Sequence, residues 1–147
     1  MLEGDLDARR VLVTEICDFR RFDHPGQLMA YVGLVPTEHS SGDTRRQGSI
    51  TKAGNSRVRH VLVQAAWSYR FPPQRGQALK RRQQGQPPDA VAHSWKAQHR
   101  LHRVFTRLTY RKNTRIAAVA VARELAGFVW ALMQEGVAEI EPQRRAA

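Results

Sequence analysis

The sequence is short of cysteine and of acidic residues. Its one cysteine, Cys17, excludes an internal disulfide and favours a reducing compartment. Acidic residues number 13 against 24 lysines and arginines, which gives a formal net charge of +11. This excess of positive charge favours a polyanionic partner, with nucleic acid as the first candidate. The alternative is a basic protein whose charge serves only solubility or ribosome-like packing.

Long apolar runs and a targeting segment are also missing. No run approaches the roughly 20 apolar residues that span a bilayer, so no membrane association is expected. The N-terminus, MLEGDLDARR, lacks the apolar centre of a signal peptide. At 147 residues, the chain is long enough for one domain with its own core and too short for two ordinary ones.

Helical patterns occupy most of the chain. The predicted fold class is mainly α: a small helical domain with a basic loop or short β-hairpin between its second and third elements. The apolar run at residues 11–16 fits either a strand or a helix. Asp23 is the predicted N-cap of a helix that has Pro25 in its first turn and stops at Gly33.

Further elements follow from turn residues and helical periodicity. Glycine, serine and charge in residues 36–54 predict a loop, with a short hairpin near Arg45 to Ile50. Asn55 or Ser56 then caps a helix that Pro72 ends. Three more helices are expected, the second strongly basic: residues 77–84, 93–111 and 114–133. The remaining tail, EIEPQRRAA, is expected to fray.

A serine pair precedes the main group of basic residues. Ser40 and Ser41 stand before Gly42, and five cations follow them: Arg45, Arg46, Lys52, Arg57 and Arg59. A hydroxyl in a tight turn beside cations suits chemistry on a DNA phosphate, because the cations hold the backbone within reach of the oxygen. The alternative is an ordinary Ser-Gly turn next to solvated charges.

The order of residues around these serines resembles a known family. The pieces that carry the resemblance are FDHPGQLMAYVGLVP, EHSSGDTRRQGSITKAGN and RVRHVLVQAAW, followed later by GQALKRRQQGQPPDAVAHSWKAQHRLHRVFTRL and VAVARELAGFVWALM. They are similar to the C-terminal catalytic domain of insertion-sequence transposases of the IS110 family, which is grouped with IS116 and IS902. The likeness runs from about Val11 to about Met133.

The resemblance implies roles for individual residues. The catalytic serine of the family lies in this Ser-Gly turn, so Ser41 is the favoured nucleophile and Ser40 the alternative. Six residues are expected to contact nucleic acid: Arg45, Arg46, Lys52, Asn55, Arg57 and Arg59. The segment 51–55 is further expected to offer backbone N–H groups to an anion. Gly48 and Gly54 would let the backbone bend close to the DNA strand. Gly33, Pro36 and Gly42 are expected to shape turns.

The resemblance also implies what lies outside this sequence. Family members carry an N-terminal RuvC-like nuclease domain whose acidic residues bind Mg²⁺, act as oligomers on DNA, and use a structured guide RNA. Residues 1–21 would then be the end of a linker to that domain, 22–134 the transposase domain and 135–147 a tail. We expect a cytoplasmic, nucleoid-associated protein that is inactive alone. The alternative is a non-catalytic nucleic-acid-binding remnant of a decayed element.

No metal or other cofactor is expected within this chain. His99 and His102 share a helix face, but zinc needs more ligands and Cys17 is far away in sequence. The three tryptophans, Trp67, Trp95 and Trp130, have apolar neighbours at helical spacing, which predicts core packing. Trp95, beside Lys96, keeps base stacking as an alternative.

Overall fold

A computed structural model describes the backbone of residues 2–41 and 44–145, and the side chains of residues 7–38 and 48–134. Its helices are α1 (Leu2–Ile16), α2 (Pro25–Tyr31), α3 (Ser56–Ala66), α4 (Gln77–Gln83), α5 (Pro88–Thr109) and α6 (Thr114–Arg145). Strands β1 (Pro36–Ser41) and β2 (Thr44–Ile50) form an antiparallel hairpin between α2 and α3. The prediction of a mainly α domain with a hairpin at this place is confirmed.

Helix α6 is the centre of the domain. It contacts α2, α3, α5 and the short 3₁₀ turn Phe19–Arg21. Its buried face is built largely from small side chains, Ala118, Ala122 and Ala126, with Val121 between them. Alanines four residues apart form a narrow ridge, so neighbouring helices can approach closely.

Three other segments supply the rest of the core. α3 contributes Val58, Leu62 and Ala66, and α5 contributes Ala97, Leu101, Val104 and Phe105. The segment before the hairpin adds Ile16, Phe19, Phe22, Leu28, Val32 and Leu34. Ile16 and Phe19 thus precede the predicted domain boundary at residue 21 and are buried together with residues that follow it.

Half-buried polar side chains connect α6 to the start of the chain. Trp130 Nε1 donates to the carbonyl of Phe22 at 2.9 Å, and Gln134 Nε2 donates to the carbonyl of Phe19 at 2.9 Å. Ring nitrogens of His93 and His102 lie 2.9 Å from the carbonyl oxygens of Phe128 and Tyr69. These contacts join side chains of α5 and α6 to main-chain carbonyls elsewhere in the domain.

Several predicted boundaries were right. The run at residues 11–16, which the sequence left open, is helical and belongs to α1. Pro25 is at the start of α2, Gly33 follows its end with a φ of 71°, and Asn55 caps α3. The predicted helix at residues 77–84 is α4, which ends at Gln83.

Other boundaries were wrong. His24, not Asp23, is the N-cap of α2, and the side chain of Gln27 instead accepts from the Asp23 N–H at 2.8 Å. α3 ends at Ala66 in a 3₁₀ turn, before Pro72. α5 begins at Pro88 because proline fits the first helical position, where no N–H is needed. α6 continues to Arg145, so the tail expected to fray is helical that far.

The expectation that no long apolar stretch exists was also wrong. Thr114–Gln134 spans 21 residues and is apolar enough by composition to cross a membrane. However, the alanine ridge of this stretch is buried in the core, and the exposed Arg123 and the ion-paired Glu124 lie near its middle. Charges at that depth are costly in a bilayer, so packing as a central helix of the domain accounts for its composition.

Candidate nucleic-acid interface

The hairpin places the serine pair at the last two positions of β1. Ser40 is the pairing partner of Arg45, and Ser41 is the partner of Thr44. Directly opposed residues of an antiparallel pair have Cα atoms roughly 4.5–5.5 Å apart. His39 faces Arg46 one step further from the turn. The backbone thus brings the two serines next to basic residues across the ladder. The side chains of residues 39–47 and the conformation of Gly42 lie outside the described part of the chain.

A bulge bends the hairpin near its base. Pro36 pairs with Ile50, whereas Glu38 pairs with Gln47, so β2 has one more residue than β1 in this interval. Gly48 and Ser49 oppose Thr37, whose Oγ1 donates to the Ser49 carbonyl at 2.9 Å. A bulge increases twist and turns the outer part of a hairpin relative to its base. The predicted bend at Gly48 therefore coincides with an irregularity in β2.

Below the bulge, the loop 51–54 packs tightly on the end of α2. Gly33 and Gly54 both have positive φ, 71° and 99°. A Cβ added to Gly33 would overlap the Ala53 carbonyl oxygen, and one added to Gly54 would overlap the carbonyl oxygen of Tyr31. The two glycines are thus needed for conformation and for close approach of two backbone segments.

Arg59 joins the two sides of this contact. Its Nη1 donates to the Val32 carbonyl at 3.0 Å and to the Lys52 carbonyl at 3.1 Å. One guanidinium thus binds the end of α2 and the loop that leads from β2 into α3. We call this arrangement of Gly33, Gly54, Lys52 and Arg59 the hairpin clamp. Lys52 itself has a φ of 55°, which is rare for a residue other than glycine.

The N–H groups of the loop are largely used by the clamp. Thr51 N donates to Val35 O at 2.9 Å, Lys52 N to Gly33 O at 3.1 Å, and Asn55 N to Tyr31 O at 3.0 Å. Three of the five N–H groups in the segment expected to bind an anion are therefore bonded inside the protein. The expectation of an open anion site on the backbone of residues 51–55 was wrong in this respect.

Glu15 of α1 fixes the first turn of α3. Its Oε2 accepts from Asn55 Nδ2 at 2.8 Å and its Oε1 from Arg57 Nη1 at 3.0 Å. The hydrogen bond from Asn55, followed by that from Arg57, holds the pKa of the Glu15 carboxyl below its ordinary value. Asn55 also caps the helix by accepting from Val58 N at 3.0 Å. Sequence reasoning missed Glu15, because its partners are 40 and 42 residues away.

The predicted contact residues therefore differ in what surrounds them. Asn55, Arg57 and Arg59 have partners within the protein, whereas Lys52 is an exposed side chain on the clamp. The Arg57 side chain is 77% exposed despite its ion pair, so part of its guanidinium still faces solvent. Beside it, Val11, Ser56, His60 and Val61 line an open groove of about 370 Å³ between α1 and α3.

A second concentration of positive charge runs along α5. Lys96, Arg100, Arg103 and Arg107 recur at intervals of three and four residues, so they share one side of the helix. All four are exposed, and Arg100 pairs with Glu124 of α6 at 3.1 Å. α4 adds exposed Lys80, Arg81 and Arg82. The buried residues of α5 lie on a different side, so Lys96, Arg103 and Arg107 face solvent.

The histidines and tryptophans have mainly structural contacts. Within the described side chains, no three His, Cys, Asp or Glu residues are close enough to hold a metal ion. The ring of His99 lies edge-on to Trp95 with centroids 4.6 Å apart, and Arg75 covers that indole at 4.2 Å. Trp67 packs near Phe105, with ring centroids 6.1 Å apart, and all three tryptophans are half-buried.

Comparison with known proteins shows which family the chain belongs to. A family model described as "Transposase IS116/IS110/IS902 family" matches residues 7–80, which include the larger part of α1, the hairpin, the clamp and α3. The chain belongs to the IS110/IS116/IS902 family of transposases. This confirms the family suggested by the sequence, and the family is one of DNA transposition.

Individual relatives of the family extend the match to α5 and α6. The chain is 47% identical over 132 residues, 89% of its length, to the transposase y4qE of Sinorhizobium fredii. It is 30% identical over 117 residues, 79% of its length, to a family 20 transposase of Pseudomonas aeruginosa. It covers 34% and 28% of these two proteins, so it spans about a third of the length of its relatives. No solved structure matches the chain.

Proposed function

We propose that this chain is the serine-bearing and DNA-binding part of an IS110-family transposase, with Ser41 as the nucleophile and Ser40 as the alternative. The observation that carries the proposal is the hairpin register, in which these serines oppose Thr44 and Arg45, within the segment that the family model matches. The net charge of +11 supports a polyanionic partner.

The proposed step exchanges one phosphate ester for another. The serine Oγ forms a bond to phosphorus while the bond from phosphorus to one sugar oxygen breaks. The serine proton passes to a base, and the leaving sugar oxygen takes up a proton to become a hydroxyl group. The DNA strand is then held as a phosphoserine ester, and attack by another sugar hydroxyl reverses the step on a new partner. We do not assign Glu38 or His39 as the base, since a group from another domain serves equally well.

Cations near the serine would stabilise the extra negative charge of the pentavalent transition state. Arg45 and Arg46 are proposed for this role because they are the pairing partners of Ser40 and His39. Lys52 is proposed to hold the DNA strand on the side of the hairpin clamp. The clamp, with Gly33, Gly54 and Arg59, would keep the base of the hairpin fixed while DNA binds.

The remaining parts of the reaction are proposed to come from outside the described chain. A RuvC-like domain would bind Mg²⁺ and DNA, and a guide RNA and further copies of the protein would complete the assembly in the cytoplasm. In this proposal Mg²⁺ is assigned to that other domain, and no step is assigned to a metal held by this chain.

The test replaces the corresponding region of the S. fredii relative y4qE, which is 47% identical over 132 residues, with this chain. Labelled DNA is then run on a denaturing gel to detect covalent adducts. Ser41→Ala should abolish adduct and recombination while leaving DNA binding unchanged, because a hydroxyl on a short hairpin contributes little to stability. Ser49→Ala, in β2 of the same hairpin, is the matched control and should retain adduct.

Other outcomes of the same gel decide between alternatives. Loss of adduct with Ser40→Ala and not with Ser41→Ala moves the nucleophile by one residue. Adduct that survives the double Ser40→Ala, Ser41→Ala change rejects serine chemistry at this hairpin. A graft with both serines that binds DNA without forming adduct supports the second candidate, a non-catalytic nucleic-acid-binding remnant. That candidate is also consistent with a chain that spans only 34% of the relative.

A further inference from the structure

We propose that the turn between α5 and α6 is a binding site for unpaired DNA, with the ring of Tyr110 as a stacking surface for a base. We call this surface the α5–α6 tip and define it by Tyr110 and its basic neighbours Arg107, Arg111, Lys112 and Arg115. It lies outside the residues that the family model matches, 7–80, and is separate in sequence from the serine hairpin.

Tyr110 is unusually exposed for an aromatic residue. Its side chain is the most open of the large apolar residues on the described surface, at 85% exposure. Two other aromatics at the surface are more occupied: Phe71 is 61% exposed but has Arg70 over its ring at 4.6 Å, and the half-buried Trp95 has Arg75 over it at 4.2 Å. An exposed aromatic ring offers a flat apolar face, and nucleobases are ligands that stack on such faces.

The tip is also held in one conformation. Arg111 N and Lys112 N both donate to the Leu108 carbonyl, at 3.0 and 2.8 Å. Asn113 then starts α6, since its Oδ1 accepts from Arg115 N at 2.8 Å and its carbonyl from Ala117 N at 3.1 Å. A ring on a fixed turn loses little conformational entropy when it binds, which favours affinity.

Charge around the ring selects a polyanion. The sequence contains no acidic residue between Asp89 and Glu124, and every charged side chain in that interval is basic. Arg103 and Arg107 of α5 and Tyr110, its C-cap residue with helical φ and ψ, are spaced by four and three residues, so they lie on one side and all three are exposed. The basic side of α5 therefore leads directly to the ring, and a strand can have its phosphates on the arginines and a base on Tyr110.

The same features favour unpaired DNA over a duplex. The faces of bases in a duplex are covered by their neighbours, so a single exposed ring gains nothing from them. In an unpaired stretch the faces are open, and stacking on an aromatic side chain adds to phosphate contacts. Strand exchange by the proposed serine chemistry creates such stretches. The inference depends on the proposed function only for this source of ligand.

The test measures the affinity of the whole chain for labelled oligonucleotides by fluorescence anisotropy. Three probes of one sequence are compared: single-stranded DNA, duplex DNA and single-stranded RNA. Tyr110→Ala should weaken binding of single-stranded DNA by about 5- to 150-fold, the range that stacking of one base supplies. Duplex affinity should change less than about twofold. Tyr110→Phe keeps the ring and should bind like the unchanged protein.

Controls separate stacking from charge and from folding. Ile116→Ala removes another exposed apolar side chain at the tip, 54% exposed, and should leave affinity unchanged. Arg107→Gln should weaken both DNA probes and reduce the slope of log affinity against log salt by roughly 0.7–0.9. The urea midpoint of Tyr110→Ala should equal that of the unchanged protein, since the ring is exposed.

Defined outcomes overturn the proposal. A loss of less than fivefold for single-stranded DNA, or an equal loss for the duplex, rejects the stacking surface. A loss confined to RNA rejects DNA as its ligand. The Tyr110 effect should persist in a Ser41→Ala chain, because binding at the tip requires no strand cleavage. Failure of the serine chemistry and failure of this site are therefore distinguishable.

Discussion

Arginines have opposite roles in the hairpin clamp and on α5. In the clamp, Arg59 binds two main-chain carbonyls, and close to it Arg57 binds the carboxylate of Glu15. On α5, Arg103 and Arg107 extend into solvent from the side of the helix away from the core. Residues of equal charge in the sequence thus have different surroundings: Arg59 fixes the backbone and Arg57 pairs with a carboxylate, whereas Arg103 and Arg107 are exposed to solvent.

The largest effect should come from the closest backbone contact in the clamp. Gly54→Ala should lower the free energy of unfolding by about 2–5 kcal/mol, because it adds an overlap with the Tyr31 carbonyl to the strain of a positive φ. Gly85→Ala is the matched control, since Gly85 also has a positive φ, 75°, but open space around it. It should cost only about 1–2 kcal/mol.

Urea titration of both variants measures this difference. If the two substitutions are equally destabilising, the approach of Gly54 to Tyr31 contributes nothing, and the clamp is weaker than its geometry indicates. A much larger effect of Gly54→Ala confirms that the loop and the end of α2 form one rigid unit.

The second-largest effect comes from comparing one arginine of the clamp with one arginine of α5. Arg59→Gln should destabilise the protein by about 2–3 kcal/mol, because it removes charge-assisted hydrogen bonds to two carbonyls. Arg107→Gln should change stability by less than about 0.5 kcal/mol. DNA affinity at low temperature should show the reverse order. Binding loss by Arg59→Gln that equals the loss by Arg107→Gln would contradict the division between the two regions.

The smallest expected effect is the loss of stability at acidic pH through Glu15. The folded-state pKa of Glu15 is below its ordinary value of 4.5, so its contribution to stability is fully present above that pH and is lost as pH falls through the folded value. The difference in urea midpoint between the unchanged protein and Glu15→Gln should therefore be largest near neutral pH and shrink as the pH falls below 4.5. A difference that grows on acidification has the wrong sign for this account.

Arg57→Gln is the matched variant for that experiment. It removes the second cause of the lowered pKa and leaves the first, the hydrogen bond from Asn55. Arg57→Gln should therefore reproduce only part of the change in urea midpoint with pH that Glu15→Gln causes. A profile as large as that of Glu15→Gln would make Arg57 the dominant partner.

Local signals in the sequence predicted the parts of the fold that depend on local chemistry. Pro25 starts α2, Gly33 ends it and Asn55 caps α3, and each follows from the preferences of one residue type. The hairpin proved longer than predicted because its strands are polar on both faces and show no period of two in hydrophobicity.

Contacts between distant residues could not be predicted. The sequence identifies Arg57 and Arg59 as basic residues beside a serine, but the carboxylate and carbonyls that bind them come from α1 and from the end of α2. Tyr110 was missed because an isolated tyrosine in a helical pattern says nothing about its exposure. The side chains around Ser40 and Ser41 depend on such contacts too, so their roles stay a prediction.

The hydrogen bonds from α6 to the beginning of the domain affect how the chain folds during synthesis. Trp130 and Gln134 are 108 and 115 residues away from the carbonyls that they bind, and α6 supplies the centre of the core. A nascent chain that has released only the hairpin and α3 from the ribosome has no α6 to pack against. Loops of this length close slowly, so the domain should fold late, after nearly all of it has been translated. An early stop codon would then leave a protease substrate instead of a smaller active fragment.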